Sequence, residues 1–336
     1  MTPRSRPGAP LLPGRRATLA WGVAAALAGP AHAQAYPARP LKIVVPFTPG
    51  GSSDVLARAI GVELGRALGQ AVIIDNVPGA GGSVGAERVA KSAPDGYTLL
   101  MGHIGTLAIN PSLYPRLGYD PVRSFAPVAW VARVPNVLVV NDTVPARLLQ
   151  QLVARAKAAP GKLAYGSGGN GSAAHTTMEY FKLQTGTSFL HIPYRGTAPA
   201  LVDLLAGQVQ VLFTGVPPLL PHIRAGKLRA LAVSSTRRLA LLPDVPTVAE
   251  SGVPGTAGFE ADQWYGLVAP AGTPADIVAL LNRHVNAALG SDEVRTRLAA
   301  EGAEATPATP QAFGQLIARE IPRWARVIQA ARITVD

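Results

Sequence analysis

An apolar stretch, Leu41 to Phe47, runs directly through Thr48-Pro49-Gly50-Gly51-Ser52-Ser53-Asp54 into an amphipathic segment. Two glycines allow a tight turn with its amides pointing inward, and the helix that follows adds unpaired N–H groups and the positive end of its dipole. A carboxylate or phosphate fits such a socket without a lysine. A second run of this kind, Ser167-Gly168-Gly169-Asn170-Gly171-Ser172, joins the strand-like Leu163 to Gly166 to a helix extending through Phe181. Each turn also has a plain structural reading: Gly50-Gly51 as a tight turn into a helix, and Ser or Asn in the second run as an N-cap. Asp54 falls in a first helical turn, where the dipole favours a carboxylate, and is read as holding the turn's own amides.

Other chemistry finds less support. Gly81-Gly82-Ser83-Val84-Gly85 satisfies the Gly-x-Ser-x-Gly pattern of a hydrolase elbow, but that elbow must lie on the strand-to-helix turn, and Pro78-Gly79-Ala80 intervenes. A serine hydrolase using Ser83 or Ser167 with His175 is therefore the weaker alternative, and the chain reads as non-enzymatic. Gly79-x-Gly81 would need the third glycine of the dinucleotide fingerprint at position 84, where the chain has Val84 with Gly85 one place on, so no cofactor is expected. His103, His175, His191, His222 and His284 never fall at metal-ligand spacing, so no metal is expected either. His175, one helical turn beyond Ser172, is placed to face a cleft or to pack locally. Arg195 is either a solvated charge or an anion contact.

Strand-like and helix-like segments must position these turns. Leu56, Ile60, Leu64 and Leu68 form one row of a helix from Ser53 to Leu68 with Gly69 as its stop; Val72 to Asp75 is the next strand, Val84 to Lys91 a second helix and Tyr97 to Gly102 a third strand. The grammar restarts with helix Leu148 to Ala158, and Leu190 to Tyr194, Val209 to Thr214 and Leu228 to Ser234 supply further strands. Repeated βα units predict largely parallel sheets covered by helices. Phe125 to Asn141 and Phe259 to Pro270 are long, apolar and extended, at the two edges of the middle block, and are predicted to cross between two domains. The tail predicts helices Pro274 to Leu289, Glu293 to Glu301 and Pro310 to Ala330, the last with Phe313, Ile317, Ile321, Trp324 and Ile328 on one face and a kink at Pro322. Two α/β domains joined by paired crossings bring strand ends face to face across a ligand cleft.

Composition bounds the reading. Arg4, Arg6, Arg15 and Arg16 precede an apolar run, Ala17 to Ala28, that ends in Pro30-Ala31-His32-Ala33, which reads as a signal peptide (1–33) cleaved near Ala33. Sec and Tat export both remain open, since the residues around Arg15-Arg16 match the twin-arginine pattern weakly. Cleavage leaves about 300 residues, more than one core usually holds. The net charge of +11 is spread along the chain with no basic and aromatic stripe, which argues against nucleic acid. With no cysteine there is no disulfide and no thiolate site.

The motifs then become familiar: Val45-Pro46-Phe47 through Pro49-Gly50-Gly51 to Asp54, Asn76-Val77-Pro78-Gly79-Ala80-Gly81-Gly82, Ala93-Pro94-Asp95-Gly96-Tyr97-Thr98-Leu99, Ile109-Asn110-Pro111, Pro193-Tyr194-Arg195-Gly196, and Leu242-Pro243-Asp244-Val245-Pro246-Thr247. In this order, from Tyr36 almost to the end, the chain resembles the Bug, or tripartite tricarboxylate transporter (TctC-like), family of periplasmic substrate-binding proteins. The resemblance implies a type II periplasmic binding protein fold. Two α/β domains, 36–138 plus 256–336 and 139–255, would be joined by two crossover strands and close as a monomer on a small carboxylated solute. It implies delivery to the membrane permease subunits of a tripartite tricarboxylate transporter, and a sensing receptor for a two-component system is the alternative role. Carried over by motif, the ligand-binding residues are Phe47, Thr48, Gly50, Gly51, Ser52 and Asp54, then His103, Gly105 and Thr106 from the first domain. Ser167, Asn170, Gly171, Ser172, His175, Tyr194, Arg195, Gly196 and Thr214 come from the second. Relatives commonly have Lys at Arg195 and Asp or Asn at Thr214, so the ligand itself is not implied.

Overall fold

The turn chemistry and the apolar periodicity build two mixed sheets, each carrying helices on its faces. The computed structural model describes residues 36–335, so the predicted signal peptide and cleavage site lie outside the described residues. From Arg39 onward the chain is one compact unit. In chain order its elements are β1 (Leu41–Val45), α1 (Ser52–Leu68), β2 (Val72–Asn76), α2 (Ser83–Ala90), β3 (Thr98–His103), a π-helical turn (Gly105–Ile109) leading into the short α3 (Asn110–Leu113), and β4 (Phe125–Val134). These are followed by β5 (Asn136–Asn141), α4 (Leu149–Ala158), β6 (Ala164–Ser167), α5 (Ala173–Thr185), β7 (Leu190–Pro193), α6 (Thr197–Leu205), β8 (Val211–Gly215), α7 (Leu220–Arg224) and β9 (Leu228–Val233). The chain closes with β10 (Gln263–Pro270), α8 (Ala275–Leu289), α9 (Asp292–Ala300), β11 (Glu304–Ala305) and α10 (Pro310–Ala331).

The first sheet has the order β11-β4-β10-β3-β1-β2, the second β7-β6-β8-β5-β9. β1 pairs in parallel with β2 and β3, and β6 with β7 and β8, as the βα repeats require. The sheets are less parallel than the repeats alone suggest. β5 lies antiparallel between β8 and β9, and β10 antiparallel between β3 and β4. These are the strands that arrive from the other lobe, and an arriving strand enters its new sheet from the cleft side, against the direction of the local strands. The predicted single strand from Phe125 to Asn141 is interrupted: Pro135, with no N–H to give a ladder, separates β4 in one sheet from β5 in the other. Likewise only Gln263–Pro270 of the second predicted crossing is strand.

Burial follows the expected faces. Leu56, Ile60 and Leu64 of α1 are buried with Leu41, Ile43 and Val45 of β1 and with Leu281 and Val285 of α8. The other face of the first sheet shares a core with the second lobe, because α10 packs on both: Phe313, Ile317, Trp324 and Ile328 are buried, and the Trp324 ring meets Tyr180 of α5 edge-on at 6.0 Å. The helix is continuous across Pro322. No helix among the described residues is long and apolar enough to cross a membrane.

Candidate functional site

The C-terminal ends of the parallel strands of both sheets face a cleft of about 410 Å³, which is the size range of small-molecule sites. Phe47 follows β1, His103 ends β3, Gly168 follows β6, Gly196 follows β7, Thr214 lies near the end of β8, and Gln263 opens β10. The crossing strands thus form its floor. There Asn136 N donates to Ser234 Oγ (2.8 Å), Ser234 Oγ donates to Asp262 Oδ1 (2.5 Å), and Gln263 Nε2 donates to Asn136 Oδ1 (2.8 Å). Burial pushes the Asp262 carboxyl up to about 7 against the Ser234 hydrogen bond.

On the second lobe, two helices point their N-termini at the cleft. Ser172, the N-cap of α5, lines it together with Ala173 and Ala174, the first two residues of that helix. Ser172 Oγ accepts the amide of His175 at 3.3 Å, while the amides of Ala173 and Ala174 precede the start of intrahelical bonding. Gly196 caps α6 at φ +112, a conformation open to glycine, and makes no side-chain cap; Thr197, first in the helix, also lines the cleft. Pro199 has no N–H to satisfy. Each helix end carries roughly half a positive charge. The Thr214 hydroxyl, on a residue only 6% exposed, lines the same wall and makes no hydrogen bond among the described residues.

Beneath this wall lies a layer of aromatic and titratable groups. The amide of Gly171 donates to His175 Nδ1 (3.0 Å), the His175 ring stacks on His191 at 3.9 Å, and Ser167 Oγ lies 2.6 Å from His191 Nε2. Burial, with further repulsion from His191 and Lys182, pushes His175 down to about 3; burial likewise brings His191 to about 4. Both rings are neutral acceptors or stackers at neutral pH. Ser167 and His191 make a contact of the kind a nucleophile needs, but Ser167 is 0% exposed and its Oγ also accepts the Gly169 amide (3.1 Å). The nearby carboxylate, Glu179, is bonded to Tyr165 and Lys182.

The first lobe presents a different wall. His103 Nδ1 accepts the Gly105 amide (3.0 Å), so its Nε2–H donates to Gln263 Oε1 (3.2 Å); burial pushes this histidine down to about 4. Thr106 Oγ1 bonds both the amide and the carbonyl of His103 and is wholly buried. With these polar groups engaged, the half-buried Phe47 and Tyr114 and the buried Leu113 line this wall beside Asn110, whose Nδ2 donates to the Gly81 carbonyl and Ser83 Oγ. The glycine run at 79–85 serves close approach: a Cβ at Gly82, where φ is +90, would stand 2.6 Å from Thr106 Cγ2, and one at Gly85 would stand 2.8 Å from the Val77 carbonyl oxygen.

The first glycine turn of the sequence stands apart from the cleft lining. Thr48, Gly50 and Gly51 are exposed, the Gly50 amide donates to Asp54 Oδ2 (3.0 Å), and Ser52 Oγ donates to Glu301 Oε2 (2.6 Å). Asp54 further accepts Asn76 Nδ2 at 3.0 Å and Arg58 Nε at 3.0 Å. Burial alone would raise its carboxyl; hydrogen bonds from Arg58, Gly50 and Asn76 hold it below its ordinary value. Of the other expected positions, Phe47, His103, Gly105, Asn170, Gly171, Ser172, Gly196 and Thr214 line the cleft. Thr106, Ser167 and His175 form the layer behind it. Tyr194 donates its hydroxyl to Asp203 (2.6 Å), and Arg195 is exposed outside the lining. Sequence reasoning did not assign Gly81, Asn110, Leu113, Tyr114, Gly168, Ala173, Ala174, Thr197 or Gln263 to the cleft, all of which line it. Thr197 follows a glycine that starts a helix, and Gln263 is a polar residue opening an apolar strand; both signals were present.

Comparison with known proteins agrees with this architecture. Residues 56–333 match the model of the tripartite tricarboxylate transporter family receptor. Protein BugT of Bordetella pertussis is 45% identical over 306 residues, covering 91% of this chain and 93% of that one. Among solved structures, R. palustris Rpa4515 with adipate superposes with a TM-score of 0.79 at 41% identity, covering 89% of this chain and 99% of the other. MatC from Rhodopseudomonas palustris with bound malate gives 0.75 at 37%, covering 87% and 100%. The periplasmic binding protein BugD gives 0.76 at 36%, covering 89% and 99%. With a match that spans most of its length and a two-lobed α/β fold in common with these structures, the chain belongs to the tripartite tricarboxylate transporter receptor family.

Proposed function

We propose that the protein is an exported, periplasmic solute receptor that binds a small carboxylate between its lobes and delivers it to the permease subunits of a tripartite tricarboxylate transporter. The observation that carries this reading is the convergence of two helix N-termini, at Ser172–Ala174 and Gly196–Thr197, on one wall of the cleft beside the buried Thr214 hydroxyl. Main-chain N–H groups with aligned dipoles stabilise an anion in place of water, and no proton transfer is needed for capture or release. Bound adipate and malate in the two R. palustris relatives support a carboxylate as the ligand class. The direct contacts are assigned to the cleft-lining residues of the second lobe, with Phe47 and Gly105 opposite; His103, Ser167 and His175 position them. The moving bodies are bounded near Pro135 and Asp262, where the chain passes between the two sheets, rather than at 138 and 255, with Asn136, Ser234 and Asp262 at the hinge. Binding and release are the whole task, so the serine and histidine pair behind the wall has a structural role.

Calorimetric titration of the mature protein against a panel of organic acids and their primary amides tests this. Expected is saturable binding of at least one acid and none of its amide, with a matching rise in melting temperature. Binding of neither, or equal binding of both, would overturn the assignment.

A further inference from the structure

We propose that the solute this cleft selects is a carboxylic acid with a hydrocarbon or aryl body and no amino group. The inference rests on the carboxylate-receptor reading and narrows it. Three observations on the cleft converge. No Asp, Glu, Lys or Arg is found among the described residues that line it. An ammonium group brought into this space would leave water without meeting a carboxylate, and the Gln263 side-chain oxygen at its floor is already in use, taking hydrogen bonds from both His103 and Tyr265. The two walls are also unlike. The second lobe offers helix amides and the Thr214 hydroxyl, while on the first lobe the His103 nitrogens and the Gly105 amide are already paired, leaving the rings of Phe47 and Tyr114 and the side chain of Leu113 as unengaged lining. An anionic head fits the first of these walls and an apolar body the second.

Matched pairs read the selection on the unmodified mature protein: 3-phenylpropionate against phenylalanine, and adipate against 2-aminoadipate, by calorimetry. Expected is binding of at least one amino-free acid with its amino partner weaker by about a hundredfold or more, the scale of an unpaired buried charge. If both members of each pair bind within about threefold, the inference fails while the carboxylate-receptor reading stands. If only short or polyhydroxylated acids bind, the apolar wall is not used and the inference again fails. If no carboxylate binds at all, both readings fall. Thr214→Asp adds a carboxylate to the anion-holding wall, and its expected effect is weaker binding of all acids with the amino acids losing least, so that preference reverses toward phenylalanine or 2-aminoadipate. A folded Thr214→Asp protein that still prefers the amino-free acids would overturn this account of the selection, and the wild-type pairs decide the matter if that variant does not fold.

Discussion

The turn at Pro49–Asp54 and the turn at Gly168–Ser172 share one local grammar. Each leaves the end of a parallel strand, passes through glycines and opens a helix whose apolar face covers its sheet. Their surroundings differ. The first is exposed, and its Gly50 amide is satisfied by Asp54, which Asn76 and Arg58 hold in place. The second lies against the cleft, and although Gly169 and Gly171 also give their amides to internal acceptors, Ala173 and Ala174, whose amides precede intrahelical bonding, line the cleft. A second helix start at Gly196–Thr197, without a side-chain cap, adds to them. What separates the two turns is where their spare donors point. A glycine-rich run marks the possibility of an anion socket; the acceptors around it decide whether any donor is left for a ligand.

The largest expected effect comes from filling the second socket with a charge of its own. Ala173 is the first residue of α5 and half-buried at the cleft, and Asp is well accepted at a helix start, so Ala173→Asp should fold. A fixed carboxylate about 4 Å from a bound one, at an effective dielectric near 20, repels it by about 4 kcal/mol, or about a thousandfold in Kd. Titration of the variant with the acid that binds the parent protein best checks this. Loss of less than about tenfold would mean that the anion sits away from the α5 start.

Acid should separate the two turns next. His175 at about 3 and His191 at about 4 lie below the ordinary histidine value, so the unfolded chain takes up protons first. Their contribution to stability is fully present above about pH 6.5 and is lost as pH falls toward 4. Local opening that frees His175 to take up a proton also releases the Gly171 amide from its acceptor. Asp54, whose carboxyl is held below its ordinary value, keeps its contribution until the pH drops below that of a free carboxyl. Asp262, raised to about 7, acts in the opposite sense: it favours the fold at lower pH and loses that contribution as pH rises through 7. Amide hydrogen exchange between pH 7 and 4.5, corrected for intrinsic rates, should therefore show protection falling at Gly171 while Gly50 holds. Equal loss at both turns would remove this distinction.

Much of the frame was legible in the sequence because it depends on local periodicity. The row Leu56, Ile60, Leu64 and the face Phe313, Ile317, Trp324, Ile328 are each buried, and the glycine punctuation marks true helix starts. The antiparallel entry of β5 and β10 was not legible, because strand direction within a sheet is set by where the chain has been, and an apolar run carries no sign of it. The balance between the two turns was hidden for a related reason. Whether the Gly50 amide is spare depends on Asn76, a strand away, orienting Asp54, and the layer under the second turn depends on His191 of β7 stacking on His175 of α5. Such partners are chosen by tertiary structure, and spacing along the chain does not reveal them.

The smallest expected effect is the sharpest on the comparison. From the sequence, an Asp at Gly51 should eliminate binding, through steric block and added negative charge at the first socket. In the folded protein Gly51 is exposed, has φ −85, and is the N-cap of α1 without a side-chain cap of its own; a Cβ there would meet nothing within 4 Å. Asp suits that position, and its carboxylate can accept an amide of the first helical turn, a gain over glycine of roughly a few tenths of a kcal/mol. Gly51→Asp should then bind its acid within about twofold of the parent and melt at the same or a slightly higher temperature, read by calorimetry and thermal unfolding. Abolished binding with an intact melting transition would mean that the first turn swings onto the ligand when the lobes close, and that the Gly50 amide, given to Asp54 in this arrangement, is released to the solute in the closed one.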